Sequence, residues 1–266
     1  MKQTLIMTHH AKKRFSQNFL KNDFLIKNIV NFIHPSPKET LIEIGPGLGA
    51  LTALLSQKVN QLHVIEIDEI LVKLLQQNSY VKHLIIHHQD VLDFDFHSLT
   101  SPQKIVGNLP YHISTPLLFK LLSNKHRISG MYFMLQKELA ERLFAANGSS
   151  RYGQLSVLLQ YHFAIEPLLE IPPEAFSPRP KVDSLFIRLL PITPQISVHN
   201  WSFFVSLVKE AFHMRRKTLL NNLKSQLNKN DLISLDIDAS SRPQEISVHQ
   251  YCLLYTSDAA DERSSV

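Results

Sequence analysis

The sequence predicts an α/β protein: a mainly parallel sheet with helices on both faces, followed by a small C-terminal all-helical domain. Three observations carry this. Short apolar runs alternate with stretches of helical spacing from residue 40 to residue 190, as βαβ units require. Pro191 and Pro194 then interrupt the pattern. Beyond them the apolar spacing is helical only. With 266 residues, 44% of them apolar, the chain can bury one large core and one small one. The expected division is a sheet domain over 1–192 that includes a basic N-terminal segment, a helical domain over 193–251, and a tail over 252–266.

Taken in order, residues 40–45 read as the first strand, an apolar run closed by glycine, and 48–59 as the helix after it. Strands follow over 62–67, 83–88, 104–107 and 130–135. Helices are expected over 69–78, over 115–123, and from the fifth strand to about residue 146. Residues 161–169 and 184–190 read as two last strands. Right-handed crossovers between parallel strands put helices on both faces, a Rossmann-like arrangement. Past the prolines, Trp201, Phe204, Val205, Val208 and Phe212 fall on one helical stripe, and Leu219, Leu220, Leu223 and Leu227 continue the spacing. From Cys252 onward the chain turns polar, acidic and Ser-rich, and reads as a non-native or disordered tail.

Charge is distributed unevenly. Residues 1–38 hold seven Lys/Arg against one acid, and residues 179–230 hold nine against two. The stretch between them is slightly acidic, with ten Lys/Arg against thirteen acids, and the last 36 residues are acidic. Two basic segments around a slightly acidic middle suggest a groove for a polyanion such as nucleic acid. A solvated surface is the plainer reading of either segment alone. No run approaches 18 uncharged apolar residues, so no membrane span is expected. Lys12, Lys13 and Arg14 are followed by no apolar stretch, so no secretory signal is expected either. A single cysteine, Cys252, excludes an internal disulfide and suits a reducing, cytoplasmic setting. The histidine pairs His9-His10 and His87-His88 lack the i, i+4 spacing a helix uses for metal, so no metal site is expected.

The segment Glu43-Ile44-Gly45-Pro46-Gly47-Leu48-Gly49 ends the first strand and opens a helix. Glycines there permit a tight turn and a close approach of ligand to backbone. Gly45, Gly47 and Ala50 also satisfy the dinucleotide fingerprint, so a nicotinamide dehydrogenase and an S-adenosylmethionine enzyme both fit the loop. Glu66 ends the second strand, where a carboxylate can accept both ribose hydroxyls. Asp90 follows the third strand and can accept from an adenine amine.

The fourth strand separates the two chemistries. Gly107 is followed by Asn108-Leu109-Pro110-Tyr111, which a dehydrogenase does not need. An enzyme that methylates an exocyclic amine does. The lone pair of that amine is delocalised into the adenine ring, so it is a poor nucleophile. The Asn108 amide oxygen and the Leu109 carbonyl can accept its two N–H groups and turn the nitrogen toward a methyl donor. Pro110 fixes φ and keeps the carbonyl aimed. Tyr111 offers a ring on which the base can stack. Phe176, at the head of the stiff basic loop 176–182, is a candidate second aromatic; a core plug is its plainer role. Stacking of a base on an aromatic contributes roughly 1–3 kcal/mol.

With these residues the chain resembles the bacterial small-subunit (16S) rRNA adenine N6-dimethyltransferases, the KsgA family. The likeness runs from about residue 9 to about 251. It is carried by Lys13-Arg14-Phe15-Ser16-Gln17-Asn18-Phe19-Leu20, the glycine loop with Glu43, Asn108–Tyr111 continuing through His112-Ile113-Ser114-Thr115-Pro116, Phe176–Ser184, and Ala211–Leu219 with its Arg215-Arg216-Lys217 run. The resemblance implies a class I methyltransferase sheet and transfer of methyls from S-adenosylmethionine. The acceptor would be N6 of two adjacent adenosines near the 3′ end of small-subunit rRNA, each receiving two methyls. It further implies that Asn18, Leu20, Gly45, Glu66, Asp90 and Asn108 hold the cofactor, with Gln17 nearby. Tyr111 and Phe176 would clamp an adenine taken out of its stack. Lys12, Lys13, Arg14, Arg179, Lys181, Arg215, Arg216 and Lys217 would meet RNA. One departure is His112, where the family often has Asn. The expected partner is the small ribosomal subunit, met by a monomer without metal. Two rivals stay open: a large-subunit rRNA adenine methyltransferase, and a factor that acts chiefly by binding during subunit assembly.

Overall fold

The computed structural model describes residues 17–264. They divide into two compact units, one of residues 17–140 with 166–191, the other of 141–165 with 192–264.

The first unit is built on a seven-stranded sheet. Its strands are β2 (Thr40–Ile44), β3 (Leu62–Glu66), β4 (Leu84–His88), β5 (Gln103–Asn108), β6 (Ile128–Gln136), β7 (Phe163–Ile171) and β9 (Ser184–Pro191), in the order β4-β3-β2-β5-β6-β9-β7. The first five run parallel, and β9 is antiparallel to β6. Strand order reverses between β2 and β5, which opens a crevice at the carboxyl ends of the central strands. Leu41, Ile42, Val64, Ile105, Val106 and Phe133 are fully buried along the central strands, which explains their near-continuous apolar runs. A separate two-stranded sheet pairs β1 (Phe19–Leu20) with β8 (Phe176–Ser177), Leu20 opposite Phe176.

Several elements differ from the sequence reading. The helix expected over 48–59 is helical only over Thr52–Leu55. Left-handed Gly47 and Gly49 delay its start. The helix expected from 115 begins at Tyr111, directly after Pro110 with φ −58°. The helix after β6 covers Lys137–Leu143. A helix over Asp23–Ile33 is an addition to the expected elements. Asn22 caps it by accepting from the Leu25 amide, and Ile26, Ile29, Val30 and Ile33 form its buried stripe.

The second unit is helical and claims residues 141–165, which the sequence reading assigns to the sheet domain. The reason is aromatic packing. Tyr161 lies 5.7 Å from the Trp201 ring and 5.4 Å from Phe204, and its hydroxyl donates to the Ile196 carbonyl at 2.9 Å. The helix Gln154–Gln160 belongs to this cluster, as does Trp201–Ala211. The start of the expected tail is packed rather than disordered. A helix spans Val248–Ser264, and Cys252, Leu254 and Tyr255 are buried in it. The Tyr255 hydroxyl accepts from the Asn200 amide at 2.8 Å, which ties this helix to the start of Trp201–Ala211.

Candidate active site

The crevice at the carboxyl ends of β2, β3, β4 and β5 is a cleft of about 1130 Å³, its open mouth included. Open α/β sheets bind their ligands at this place. Gly45, Glu66, Asp90 and Asn108 line it jointly, as do Leu109, Pro110 and Tyr111.

The glycine loop follows β2. Gly45, Gly47 and Gly49 all have positive φ, at +65°, +58° and +84°. At Gly49 the requirement is doubled, since a Cβ there would lie 2.3 Å from the Tyr80 hydroxyl. The turn brings the Gly47 amide to Glu66, whose Oε2 accepts from it at 3.3 Å; Oε1 accepts from the Asp68 amide at 2.9 Å. These bonds fix the carboxylate and leave further lone pairs for hydroxyl donors. Burial raises the Glu66 pKa, and the two amides oppose the rise. Asp90 is held in the same way: Oδ1 accepts from the Leu92 amide at 2.8 Å, and its second oxygen remains for a donor such as an exocyclic amine.

Glu43 carries an unassigned carboxylate. It is 2% exposed, lines the cleft, and its Oε2 has no hydrogen-bond partner among the described residues. Burial pushes its pKa up to about 7; the Thr52 hydroxyl opposes this and the Glu66 charge adds to it. A buried acceptor without a donor suits a cleft that receives a cationic or hydroxyl-bearing ligand. Its signal was in the sequence, a lone acid in the apolar strand Thr40–Ile44.

At the end of β5 the Asn108 Nδ2 donates to the Asn18 carbonyl at 2.8 Å. A carbonyl can only accept, so the amide group facing it is NH₂, and Oδ1 is left as the acceptor on the other side. The Leu109 amide donates to the Met134 carbonyl at 3.1 Å, fixing the peptide, while no donor reaches the Leu109 carbonyl among the described residues. The N-terminal segment completes the cleft. Gln17 donates to Asp68 Oδ2 at 3.1 Å, the Phe19 ring packs where a Gly47 side chain would be, and Leu20 is 7% exposed. Gln17, Asn18, Phe19 and Leu20 all line the cleft.

Other expected site residues fall elsewhere. Phe176 is a correction: it is 2% exposed, packs in the core with Leu20 and Phe186, and does not line the cleft. Its strand pairing with β1 holds it there. Lys12, Lys13 and Arg14 lie outside the described residues. Arg179 is exposed and ion-paired with Glu174, and Lys181 is exposed. Arg215 donates to the carbonyls of Ser150 and Tyr152, both at 2.8 Å, so it ties the second unit together; Arg216 and Lys217 are exposed. His112 is exposed at the cleft. His87 forms no cluster for metal: it meets His63 at 3.0 Å, and the described residues hold no group of three or more metal-ligating side chains.

The model of the ribosomal RNA adenine dimethylase family matches residues 8–259. The chain belongs to that family. Similar curated proteins are named ribosomal RNA small subunit methyltransferase A. One from Neisseria meningitidis serogroup C is 47% identical over 247 residues, 92% of this chain and 95% of the relative. One from Shewanella frigidimarina is 48% identical over 256 residues, 94% and 96%. Among solved structures, a dimethyladenosine transferase from Plasmodium falciparum aligns with a TM-score of 0.78 at 24% identity, covering 91% of this chain and 98% of that one. The 23S rRNA methyltransferase ErmE aligns at 0.74 and 23% identity, covering 90% and 98%. Both likenesses are of fold. As a ribosomal RNA adenine dimethylase the chain is an S-adenosylmethionine-dependent methyltransferase. The cleft fits that cofactor: a glycine cradle, two fixed carboxylates with spare lone pairs, and a buried carboxylate without a donor.

Proposed function

We propose that this adenine dimethylase methylates N6 of two adjacent adenosines near the 3′ end of small-subunit rRNA, as part of subunit biogenesis in the cytoplasm. When bound, S-adenosylmethionine supplies a methyl on a sulfonium, which needs no metal to activate it. Glu66 would accept from the ribose hydroxyls and Asp90 from the adenine amine of the cofactor, and the Gly45 turn would hold its ribose and methionine portion. Asn18 and Leu20 close the cleft from the N-terminal side. Asn108 Oδ1 and the Leu109 carbonyl accept the two N–H groups of the target amine, orienting its lone pair. The target base stacks on Tyr111. Rate enhancement comes from alignment and fixed dipoles rather than from a strong base. Each methyl added to the nitrogen is accompanied by loss of one N–H proton to water, so after the first methyl one N–H remains, which either acceptor can hold.

One observation carries the reading: the Asn108 amide is pinned through its donor side to Asn18, so its acceptor is preset inside a cleft shared with Glu66 and Asp90. Incubating the protein with labelled S-adenosylmethionine and purified small or large subunits tests it. Mass spectrometry should find dimethyladenosine in the small-subunit RNA. Label in large-subunit RNA instead would establish the rival substrate. The rival role as a binding factor is separated by Glu66→Ala, which should end methylation and leave subunit binding intact.

A further inference from the structure

The Tyr111 hydroxyl lies 3.1 Å from the Ser184 hydroxyl. The two residues reach each other from different parts of the sheet unit. Tyr111 is the first residue of the helix Tyr111–Ser123 and lines the cleft. Ser184 opens β9, sits in register with Gln136 of β6, and is 2% exposed. Its backbone is therefore fixed by an antiparallel ladder, and its side chain does not line the cleft. The Tyr111 ring, by contrast, turns on two side-chain torsions and is only partly buried.

We infer that Ser184 is a positioning residue for methyl transfer, holding the Tyr111 ring as a preset platform for the target adenine. The inference rests on the reading of Tyr111 as the base platform. A ring tethered at its far end loses little freedom when a base stacks on it. An untethered ring must be ordered at that moment, and the ordering opposes binding. The cost then falls on capture of the base, because the acceptors at Asn108 and Leu109 are held by other bonds. Ser184 also lies just after the exposed basic residues Arg179 and Lys181 of the same loop. A loop drawn toward phosphate thus leads directly into the residue that fixes the platform.

Tyr111→Phe and Ser184→Ala each delete one hydroxyl and leave ring and strand in place. Each should lower kcat/KM for small subunits about three- to tenfold, the effect of one hydrogen bond, chiefly through KM. Affinity for S-adenosylmethionine should stay within about twofold of wild type. The double variant should be no worse than either single, since both remove the same bond. RNA carrying 2-aminopurine at the target position should show a smaller fluorescence rise with either variant. Additive losses, or a Ser184→Ala defect confined to melting temperature, would overturn the inference. Tyr111→Ala separates it from the reading beneath it. Wild-type turnover by Tyr111→Ala removes the platform and the inference together. An inactive Tyr111→Ala beside fully active Tyr111→Phe and Ser184→Ala removes the inference alone.

Discussion

The two halves of the cleft are built differently. The half proposed to hold the cofactor, from the glycine loop to Asp90, is assembled from strand ends and the loops directly after them. Its carboxylates are held by backbone amides a few residues away, or by Gly47 across one βα unit. The half proposed to hold the target base, at the end of β5, depends on distant partners: Asn108 on Asn18, Leu109 on Met134, Tyr111 on Ser184. The cofactor half is also drier, with Glu43 and Glu66 both buried. A half held mainly by local bonds depends less on the rest of the chain, although Gln17, Asn18, Phe19 and Leu20 close it from the N-terminal side. A half held by long-range bonds reports on the whole unit. Changes in the two should therefore separate cofactor binding from transfer.

The largest separation is expected at Asn108. Asn108→Ala removes one preset acceptor from the target amine, and the transfer rate should fall about 10²- to 10³-fold, the scale of losing one oriented polar group at a reacting centre. Cofactor affinity should fall far less, because Glu66, Asp90 and the glycine loop remain. Asn108→Asp should also be defective under saturating cofactor, since it loses the donor that meets the Asn18 carbonyl. Single-turnover kinetics and calorimetry read the two quantities; an equal loss in both would merge the two halves.

Next comes Glu43, where burial raises the pKa to about 7. The folded protein keeps a proton there that the unfolded chain releases above its ordinary value near 4.5. Stability from this group is thus full below pH 4.5 and is lost as pH rises through 7. Glu43→Gln removes that dependence. By denaturant unfolding without cofactor, the variant should gain on wild type by up to about 3 kcal/mol at pH 8 and by nothing at pH 4. A pH-independent difference would mean that Glu43 does not titrate in this range.

Glu66→Gln keeps the shape but weakens an acceptor of hydroxyl donors. Cofactor binding should weaken about 10- to 100-fold, the range for hydrogen bonds to a charged group, while RNA affinity is unchanged. If subunit binding collapsed as well, the cofactor half would not be self-contained. The smallest effect lies outside the cleft. Replacing Arg216 and Lys217 together by Ala should leave cofactor affinity alone. It should flatten the salt slope of subunit binding by about 0.7–0.9 for each phosphate that the variant no longer neutralises. Arg215→Ala should instead lower the melting temperature, because its guanidinium spans Ser150 and Tyr152.

The same contrast decides what was legible in the sequence. Glu66, Asp90 and Asn108 were readable because each stands at the carboxyl end of a strand, and strands announce themselves in apolar runs. The partners of Asn108 and Tyr111 were not, because nothing local links residue 108 to 18 or residue 111 to 184. Strands of two residues, as at Phe19–Leu20 and Phe176–Ser177, have no periodicity to detect, so Phe176 reads as a free aromatic in a loop. Residues 141–165 join the wrong domain when sequence order, not packing, sets the boundary. The helix Asp23–Ile33 is the exception: its cap at Asn22 and its stripe at Ile26, Ile29, Val30 and Ile33 are both in plain view.

The pairing of β1 with β8 has a consequence for how the protein is made. Leu20 meets Phe176, so the first strand has no partner until about two thirds of the chain has left the ribosome. The strand pairing that helps hold the segment presenting the Asn18 carbonyl to Asn108 forms only then. Loop closure over so long a span is slow compared with local strand and helix formation. The parallel strands can be complete while the segment facing the Asn108 amide still lacks this pairing. Completion of the cleft is therefore a late event in the life of each nascent chain, reached after the glycine loop and the strand ends have already taken shape.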